Sequence, residues 1–293
     1  MKMPLRAVAL YLLAGWVAGQ GFVRAHESFG RVGHKEGDEA QALEMDFFAG
    51  SDGYLHGGIG LLQPLGDDYK TGLTLHLVRE ETGGSWFPSL GGELGKRFEN
   101  GMEVELFSFG YFPVEDQHAW AGGARIVKAL ELSDEWTLTP FVGPTFARVR
   151  AVDQTTGNAV AVSHTMLLGG LLIERGPVEF GIFGTHSWFS RGTRALETHV
   201  DLEEMTHLAA YENNDGFARD SVGGEATWDA TKRIQLSARY AAIFFPGESA
   251  RHSVTVLPSV QIAERLRVSA GAQWLKGAGF DRVLFACAFA WEF

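Results

Sequence analysis

Three side chains in the segment 194–211 have the types and the spacing of metal ligands. His199, Glu203 and His207 recur every four residues, so they would share one face of a helix. Imidazole and carboxylate groups at that spacing can hold a divalent cation such as zinc or nickel. His207 would lie too far along the axis to join His199 at one ion. We therefore expect weak two-ligand binding, with a solvated acidic loop as the alternative.

A second group with reactive chemistry is the pair His186 and Ser187, in the sequence GTHSWFS. A serine nucleophile needs a histidine base within hydrogen-bonding distance and an acid that orients the base. Adjacent residues of a strand point to opposite faces, so this pair would not share a site. The sequence predicts no catalytic residue and no cofactor, and lipid hydrolysis stays only as an alternative.

A third group consists of single charged residues inside otherwise uncharged, alternating segments. Those expected to point to the interior of the fold, together with His76, are Lys70, Glu93, Glu103, Glu105, Arg125, Glu179, Arg219, Glu225, Arg239 and Arg267. If the alternating segments enclose a lumen, inward side chains of both charge signs can line a water-filled ion passage. Alternatively, they can form internal ion pairs that fill the lumen. The sequence leaves both possibilities open.

The elements that carry these residues alternate with period 2. In the segment 69–78 every second residue is apolar or Tyr or Thr, and the residues between them include Lys70, Gly72 and His76. The segments 119–130, 233–245 and 266–274 follow the same rule. Such alternation indicates strands with two different faces. One face carries no charge, whereas the other is small, polar or singly charged.

Composition and charge exclude several classes of protein. Charged residues make up 21% and the mean hydropathy is −0.03, which is too polar for a bundle of membrane helices. The net charge is −11, and an acidic chain is a poor binder of nucleic acid. The single cysteine, Cys287, excludes an internal disulfide.

The N-terminus reads as a cleaved signal peptide. An apolar run at 7–19 follows Lys2 and Arg6 and precedes Val23-Arg24-Ala25, and it is shorter than a membrane-spanning helix. We predict a signal peptide over 1–25, an N-terminal periplasmic segment over 26–41 and a β-domain over 42–293. Removal of Lys2, Arg6 and Arg24 would change the net charge from −11 to −14.

The β-domain is predicted to be a transmembrane antiparallel up-and-down β-barrel of about 14 strands, with twelve as the alternative. Tight turns with Gly, Asn and Asp alternate with longer polar connections, as in barrels with short periplasmic turns and long outer loops. Pro140, Pro144 and Pro258 fall inside predicted strands and should disturb them. The predicted strands are 42–50, 53–62, 69–79, 86–97, 102–112, 118–130, 136–149, 160–173, 178–189, 218–229, 233–245, 252–262, 265–275 and 282–293.

The last predicted strand resembles that of bacterial outer-membrane β-barrels. From Val283 onwards apolar residues alternate with small ones, and the chain ends in Phe293. In those proteins the terminal Phe is read by the barrel-assembly machinery. The resemblance implies an outer-membrane location, contact with outer-membrane lipid and Phe293 as an assembly signal.

A second, shorter resemblance covers residues 47–77, FFAGSDGYLHGGIGLLQPLGDDYKTGLTLHL. It is similar to the start of the BcsS cellulose-biosynthesis family, which implies polysaccharide export components as partners. The sequence thus favours porin-like passage of small solutes or support of export. The alternatives are a non-channel accessory barrel of cellulose biosynthesis and a lipid hydrolase. The pattern of lipid A deacylases has His and Ser separated by one residue, and this chain departs from it.

Overall fold

The computed structural model describes residues 41–50, 53–66, 68–79, 84–114, 117–197, 217–277 and 280–292. Those residues form strands joined by turns and loops, and no helix among them is long and apolar enough to cross a membrane. The strands are β1 (Ala42–Gly50), β2 (Leu55–Pro64), β3 (Tyr69–Arg79), β4 (Phe87–Arg97), β5 (Met102–Val114), β6 (Gln117–Lys128), β7 (Leu130–Ser133), β8 (Trp136–Asp153), β9 (Ala159–Arg175), β10 (Val178–Phe189), β11 (Leu196–Glu197), β12 (Asp220–Asp229), β13 (Ile234–Phe244), β14 (Arg251–Ala263), β15 (Leu266–Gly277) and β16 (Phe280–Glu292).

The strands pair antiparallel and close into a ring. Each main strand pairs with its neighbours in sequence, and β1 pairs with β16, from Ala42 opposite Glu292 to Gly50 opposite Leu284. Two short strands lie off the ring, because β7 and β11 each pair with β8 only. Fourteen described strands therefore make the barrel, which confirms the predicted fold and strand number and excludes twelve.

Connections at the two ends of the barrel differ. One end holds tight turns such as 65–68, 98–101 and 176–177, with positive φ at Gly66, Gly101 and Gly176. A glycine is favoured there because it alone adopts this backbone without strain. The long connection between β10 and β12 lies at the other end. Short turns mark the periplasmic end of such barrels and longer loops the outer end.

The outer surface of the barrel is apolar. Leu73 on β3, Ile182 on β10 and Phe285 on β16 are 56%, 60% and 68% exposed, although all three are large and hydrophobic. Similar residues recur on the outward face of most strands. An apolar belt of this extent would aggregate in water, and lipid is the medium that it fits. The closed barrel and its belt place the protein in a bacterial outer membrane.

Two strands extend further than predicted at the loop end. β8 has 18 residues and β9 has 17, whereas about 9–11 suffice to cross a bilayer. The outward side chains of Arg148 and Arg150 are exposed on the outer part of β8. A charge facing lipid is unfavourable, so this part of β8 projects beyond the apolar belt. Half of the predicted loop 150–159 is therefore strand, since β8 continues to Asp153 and β9 begins at Ala159.

The three prolines lie within strands rather than at strand ends. Opposite Pro144 the pairing of β6 with β8 is interrupted, and opposite Pro140 the strand breaks between β6 and β7. Val127 pairs with Phe141 and Leu130 with Leu138, so the register is the same on both sides of the break. Proline has no N–H to donate. β7 is thus the continuation of β6 beyond two missing ladder positions.

The apolar belt predicts a position-dependent cost of charge. Leu73→Arg, in the middle of β3, should destabilise the folded barrel by about 2–4 kcal/mol because the guanidinium would lie in hydrocarbon. The matched change Leu132→Arg, near the turn end and 65% exposed, should cost about 1 kcal/mol or less. Urea titration of the protein folded in lipid vesicles measures both, and equal costs would contradict the assigned belt.

Candidate functional site

The inward face of the barrel is the candidate site. Along β3 the buried and half-buried side chains include Lys70, Thr74 and His76, while Leu73 and Leu75 face outwards. The faces predicted for 69–78, 119–130, 233–245 and 266–274 agree with the observed burial. The segment 107–112 is apolar on both faces in the sequence, and the structure turns Phe109 and Tyr111 inwards.

On the inner wall, large side chains pack directly over glycines of neighbouring strands. A Cβ on Gly91 would lie 2.7 Å from a ring atom of Phe109, and one on Gly72 would lie 2.7 Å from Glu93. The same relation holds for Phe107 on Gly123, Phe141 on Gly170, Phe183 on Gly223 and Glu225 on Gly181. These rings and chains lie along the wall because the neighbouring strand has no side chain beneath them. The Gly-rich inner face therefore accommodates bulky side chains of neighbouring strands.

A buried ion-pair network joins β3, β5 and β6 in the half nearer the turns. Lys70 Nζ contacts both Glu103 and Glu105, at 2.6 Å from Glu105 Oε1. Arg125 donates from Nε to Glu105 Oε2 at 2.7 Å and also pairs through its terminal nitrogen. Arg97 lies 3.6 Å from Glu103 Oε2. Strand pairing explains the proximity, because Glu105 lies directly opposite Arg125 in the register.

The charges in this wall balance. Lys70, Arg97 and Arg125 face Glu93, Glu103 and Glu105, three positive charges against three negative ones. The side chains of Glu105 and Arg125 are only 3% and 4% exposed. Ions so buried are tolerated only when paired and hydrogen-bonded. This part of the lumen therefore contains internal ion pairs, the second of the two arrangements considered for the sequence.

The wall formed by β12 to β15 is polar but carries fewer charges. Arg239 lies opposite Glu225 in the register and stacks on the ring of Phe183, with its Cζ 4.6 Å from the ring centre. Arg267 donates to Gln235 at 3.1 Å. Further hydrogen bonds join Gln235 to Asp229, Ser259 to Ser269 and Gln273 to Ser253.

A third wall, formed by β8 to β10, is largely apolar, although it also includes the buried polar residues Thr139, Thr145, His164 and Ser187. On β9 the inward residues Val162, Met166, Leu168 and Leu172 are at most 2% exposed. Val162 belongs to a cluster towards the loops, and Leu168 and Leu172 belong to one towards the turns. His164 lies on the same face, between Val162 and Met166. An apolar strip thus follows β9 through most of the height of the barrel.

The outer half of the lumen also carries apolar clusters. Phe87, Phe109 and Tyr111 pack with Phe217, and Phe48 packs near Leu284 on the strand that closes the ring. All six are at most 4% exposed, less than most outward side chains. Packed side chains therefore narrow the interior, unlike a wide water-filled pore.

Inward residues of β1, β2 and β3 form a cluster of metal-ligating types. Asp46, His56 and His76 are 0%, 1% and 6% exposed, and one ligand atom of each lies within 4.8 Å of the others. His56 Nε2 and His76 Nδ1 are 3.0 Å apart. The sequence predicts His76 as an inward residue but does not indicate Asp46 or His56 as its neighbours. The three residues are ten and twenty positions apart, and only the strand register brings them together.

The other predicted site residues are placed as follows. Glu93, Glu179 and Glu225 are half-buried on inward faces, as is Arg267. Arg219 does not join the interior, because it is 60% exposed and pairs with Asp220 at 2.8 Å. That prediction was wrong: Arg219 precedes β12 and its guanidinium turns to the outer carboxylate.

His186 and Ser187 point to opposite faces, as predicted from adjacent strand positions. The side chain of His186 is 44% exposed and its Nδ1 lies 2.5 Å from Asp220 Oδ1, whereas Ser187 is 5% exposed and turned inwards. The two do not form a nucleophile and base. His199, Glu203, His207 and Phe293 lie outside the described residues, so the metal loop and the assembly signal stay predictions.

Comparison with solved structures shows the fold. The outer-membrane protein OpdK of Pseudomonas aeruginosa is 10% identical, with 86% of this chain and 97% of that chain covered at a TM-score of 0.50. The CymD monoaromatic hydrocarbon channel is 10% identical over 94% and 98%, at a TM-score of 0.55. The toluene transporter TodX of Pseudomonas putida is 9% identical over 88% and 90%, at 0.51.

No family model matches the chain, and no curated protein matches it in sequence. The resemblance of residues 47–77 to the BcsS family receives no support from these comparisons. The class of the protein is therefore defined by its fold, that of the outer-membrane β-barrels to which its structural neighbours belong.

The ion-pair network predicts strong coupling between Glu105 and Arg125. Arg125→Met should destabilise the barrel by about 3 kcal/mol, because it removes one partner of a buried pair. The double variant with Glu105→Gln should lose less than the sum of the two single losses. Urea unfolding in lipid vesicles measures the cycle, with exposed Arg148→Met as the control. Additive losses would show that the pair is not coupled.

Proposed function

We propose that the protein passes small, largely apolar solutes across the outer membrane, along the wall of β8 to β10. The observation that carries this proposal is the inward face of β9, which is apolar over most of the barrel height. Val162, Met166, Leu168 and Leu172 offer a solute apolar contact along β9, which His164 interrupts once. Contact of this kind favours apolar solutes, since burying apolar surface is favourable and burying unpaired polar groups is costly.

The packing of the lumen supports a limit on solute size. Phe48, Phe109 and Tyr111 are at most 4% exposed, so side chains fill much of the outer half. A solute would enter by displacing rings rather than by diffusing through a wide water column. Small aromatic molecules fit this requirement, because they pack against aromatic rings edge to face or offset.

Two structural neighbours are consistent with such solutes. CymD is described as a monoaromatic hydrocarbon channel and TodX as a toluene transporter, and both share this fold over most of their length. OpdK is an outer-membrane protein of the same architecture. At 9–10% identity the likeness concerns the fold, and the proposed solute class depends on the apolar wall of this chain.

The alternative functions have less support on the described residues. A lipid hydrolase would need a nucleophile beside a base, and His186 and Ser187 face opposite sides. An accessory barrel for cellulose production would be expected to bind sugars or export components, and no described cluster favours either. Recognition of Phe293 by the barrel-assembly machinery is part of the proposal, as for other outer-membrane barrels.

The proposal predicts that a single amide group introduced into the β9 wall impairs the uptake of an apolar solute. Met166→Gln keeps the length of a buried inward side chain but introduces an amide that the passing solute cannot satisfy. Initial uptake of toluene by cells that express the protein should fall about tenfold, which corresponds to ~1.4 kcal/mol. The control Leu167→Gln changes the adjacent residue, which faces outwards and is 44% exposed, and should leave uptake near the wild-type rate.

Two further measurements complete the test. Uptake of glucose should be the same in all three strains, because the apolar wall offers a sugar no hydrogen bonds. Heat-modifiable migration on gels verifies that each variant is folded. Equal toluene uptake by the wild type and the folded Met166→Gln variant, or by cells without the protein, would contradict the proposed route.

A further inference from the structure

We propose that Asp46, His56 and His76 form a binding site for a divalent transition-metal ion, with zinc as the expected occupant, inside the outer half of the lumen. The ligand atoms lie within 4.8 Å of one another, and the three residues are at most 6% exposed. The inference depends on these side chains and not on the proposed passage of solutes.

The strand register creates the cluster. Asp46 on β1 and His76 on β3 are both paired with Gly58 on β2. His56 lies two residues from Gly58 on the same inward face, because inward positions alternate along a strand. Three adjacent strands thus direct one ligand each to the same place on the wall.

Gly58 provides the space in which the ligands converge. A Cβ at this position would overlap Asp46 Oδ1 and would lie 3.0 Å from His76 Nδ1. The carboxylate and the imidazole therefore both lie above the bare backbone of β2. Gly91 on the same wall is also approached by two side chains, those of Thr74 and Phe109, but at Gly58 both groups are metal-ligating types and come from opposite sides.

The distances suit a shared ion. Zinc–nitrogen bonds of ~2.0–2.1 Å at a tetrahedral angle place two imidazole nitrogens roughly 3.3 Å apart. His56 Nε2 and His76 Nδ1 are 3.0 Å apart, so a shift of a few tenths of an ångström would exchange their hydrogen bond for two metal bonds. Two imidazoles and one carboxylate form a known donor set for zinc, with a fourth position left for water.

The surroundings favour bound metal. Phe48 lies 5.9 Å from the His56 ring and Phe109 lies 6.1 Å from the His76 ring, centre to centre. Such an apolar shell lowers the local dielectric and strengthens the attraction between a cation and its ligands. Ser89 is fully buried, pairs with His76 in the register, and its Oγ has no hydrogen-bond partner among the described residues. That hydroxyl is positioned to accept from, or donate to, a metal-bound water.

The test measures zinc content and cobalt spectra of the folded, tag-free protein in detergent. All variants carry His199→Ala and His207→Ala, so that the loop predicted to bind metal cannot contribute. After exposure to zinc and extensive dialysis, mass spectrometry of the metal should find one ion per chain. Cobalt loading should give the intense visible bands of a tetrahedral site. Absence of zinc and of these bands would overturn the proposal.

Ligand variants are compared with a buried histidine elsewhere in the lumen. His56→Ala and His76→Ala should each lose the bound ion, and Asp46→Asn should weaken its retention at least tenfold. His164→Ala is the matched control, because His164 is 4% exposed and inward on β9. It should retain the ion, whereas full retention by a His56→Ala/His76→Ala double variant would overturn the assignment.

Two glycine substitutions on β2 test the geometry of the metal site while all three ligands are retained. Gly58→Ala places a methyl group where Asp46 and His76 converge, and it should abolish zinc binding and the cobalt bands. Gly60→Ala lies on the same face of the same strand, and its Cβ would be 3.4 Å from its nearest neighbour, an ordinary contact. That variant should bind as the parent does. Equal binding by both folded variants would show that the ion does not lie above Gly58.

Discussion

The constraint on which the structure depends is that lipid supplies no hydrogen bonds to the backbone. Each N–H and C=O within the bilayer must find its partner in the sheet, and an open edge is therefore excluded. Pairing of β1 with β16 removes the edge that the two ends of the barrel chain would otherwise leave. The prolines are informative in this respect. Interruptions opposite Pro140 and Pro144 each remove two ladder positions while the register stays unchanged, so short gaps in the ladder are tolerated once the ring is closed.

Closure has a second consequence, because it gives every strand one face towards lipid and one towards the lumen. The lipid face needs only apolar side chains, and it takes them with little selection among Leu, Ile, Phe and Trp. The lumen face must also pack. Glycines allow this packing, since Phe109 and Glu93 can lie across neighbouring strands only where no side chain stands beneath them. Small residues in the inner face thus accompany a filled interior.

The sequence predicted the class of fold, the strand number and the inward faces, because the two environments impose period 2 over nearly every strand. It could not predict the Asp46, His56 and His76 cluster, which exists only in the register of three strands. The length of β8 was also underestimated. Its outer part lies beyond the lipid, where the alternation continues but Arg148 and Arg150 occupy the outward positions that are apolar in the membrane-spanning part. The prediction that Arg219 points inwards was wrong because this residue lies just before β12, where the alternation of the strand has not begun.

The distribution of charge around the lumen fits an apolar route on one side. Lys70 and Arg125 pair with Glu103 and Glu105 within a few ångströms, so the field of these four charges decays quickly across the interior. Unpaired charges of one sign would instead hold water and ions throughout the lumen and exclude apolar solutes. Pairing on the β3 to β6 side is therefore compatible with the proposed route along β9. The proposed route depends on this pairing, because an apolar strip can guide a solute only if nearby charges do not keep the lumen filled with ordered water.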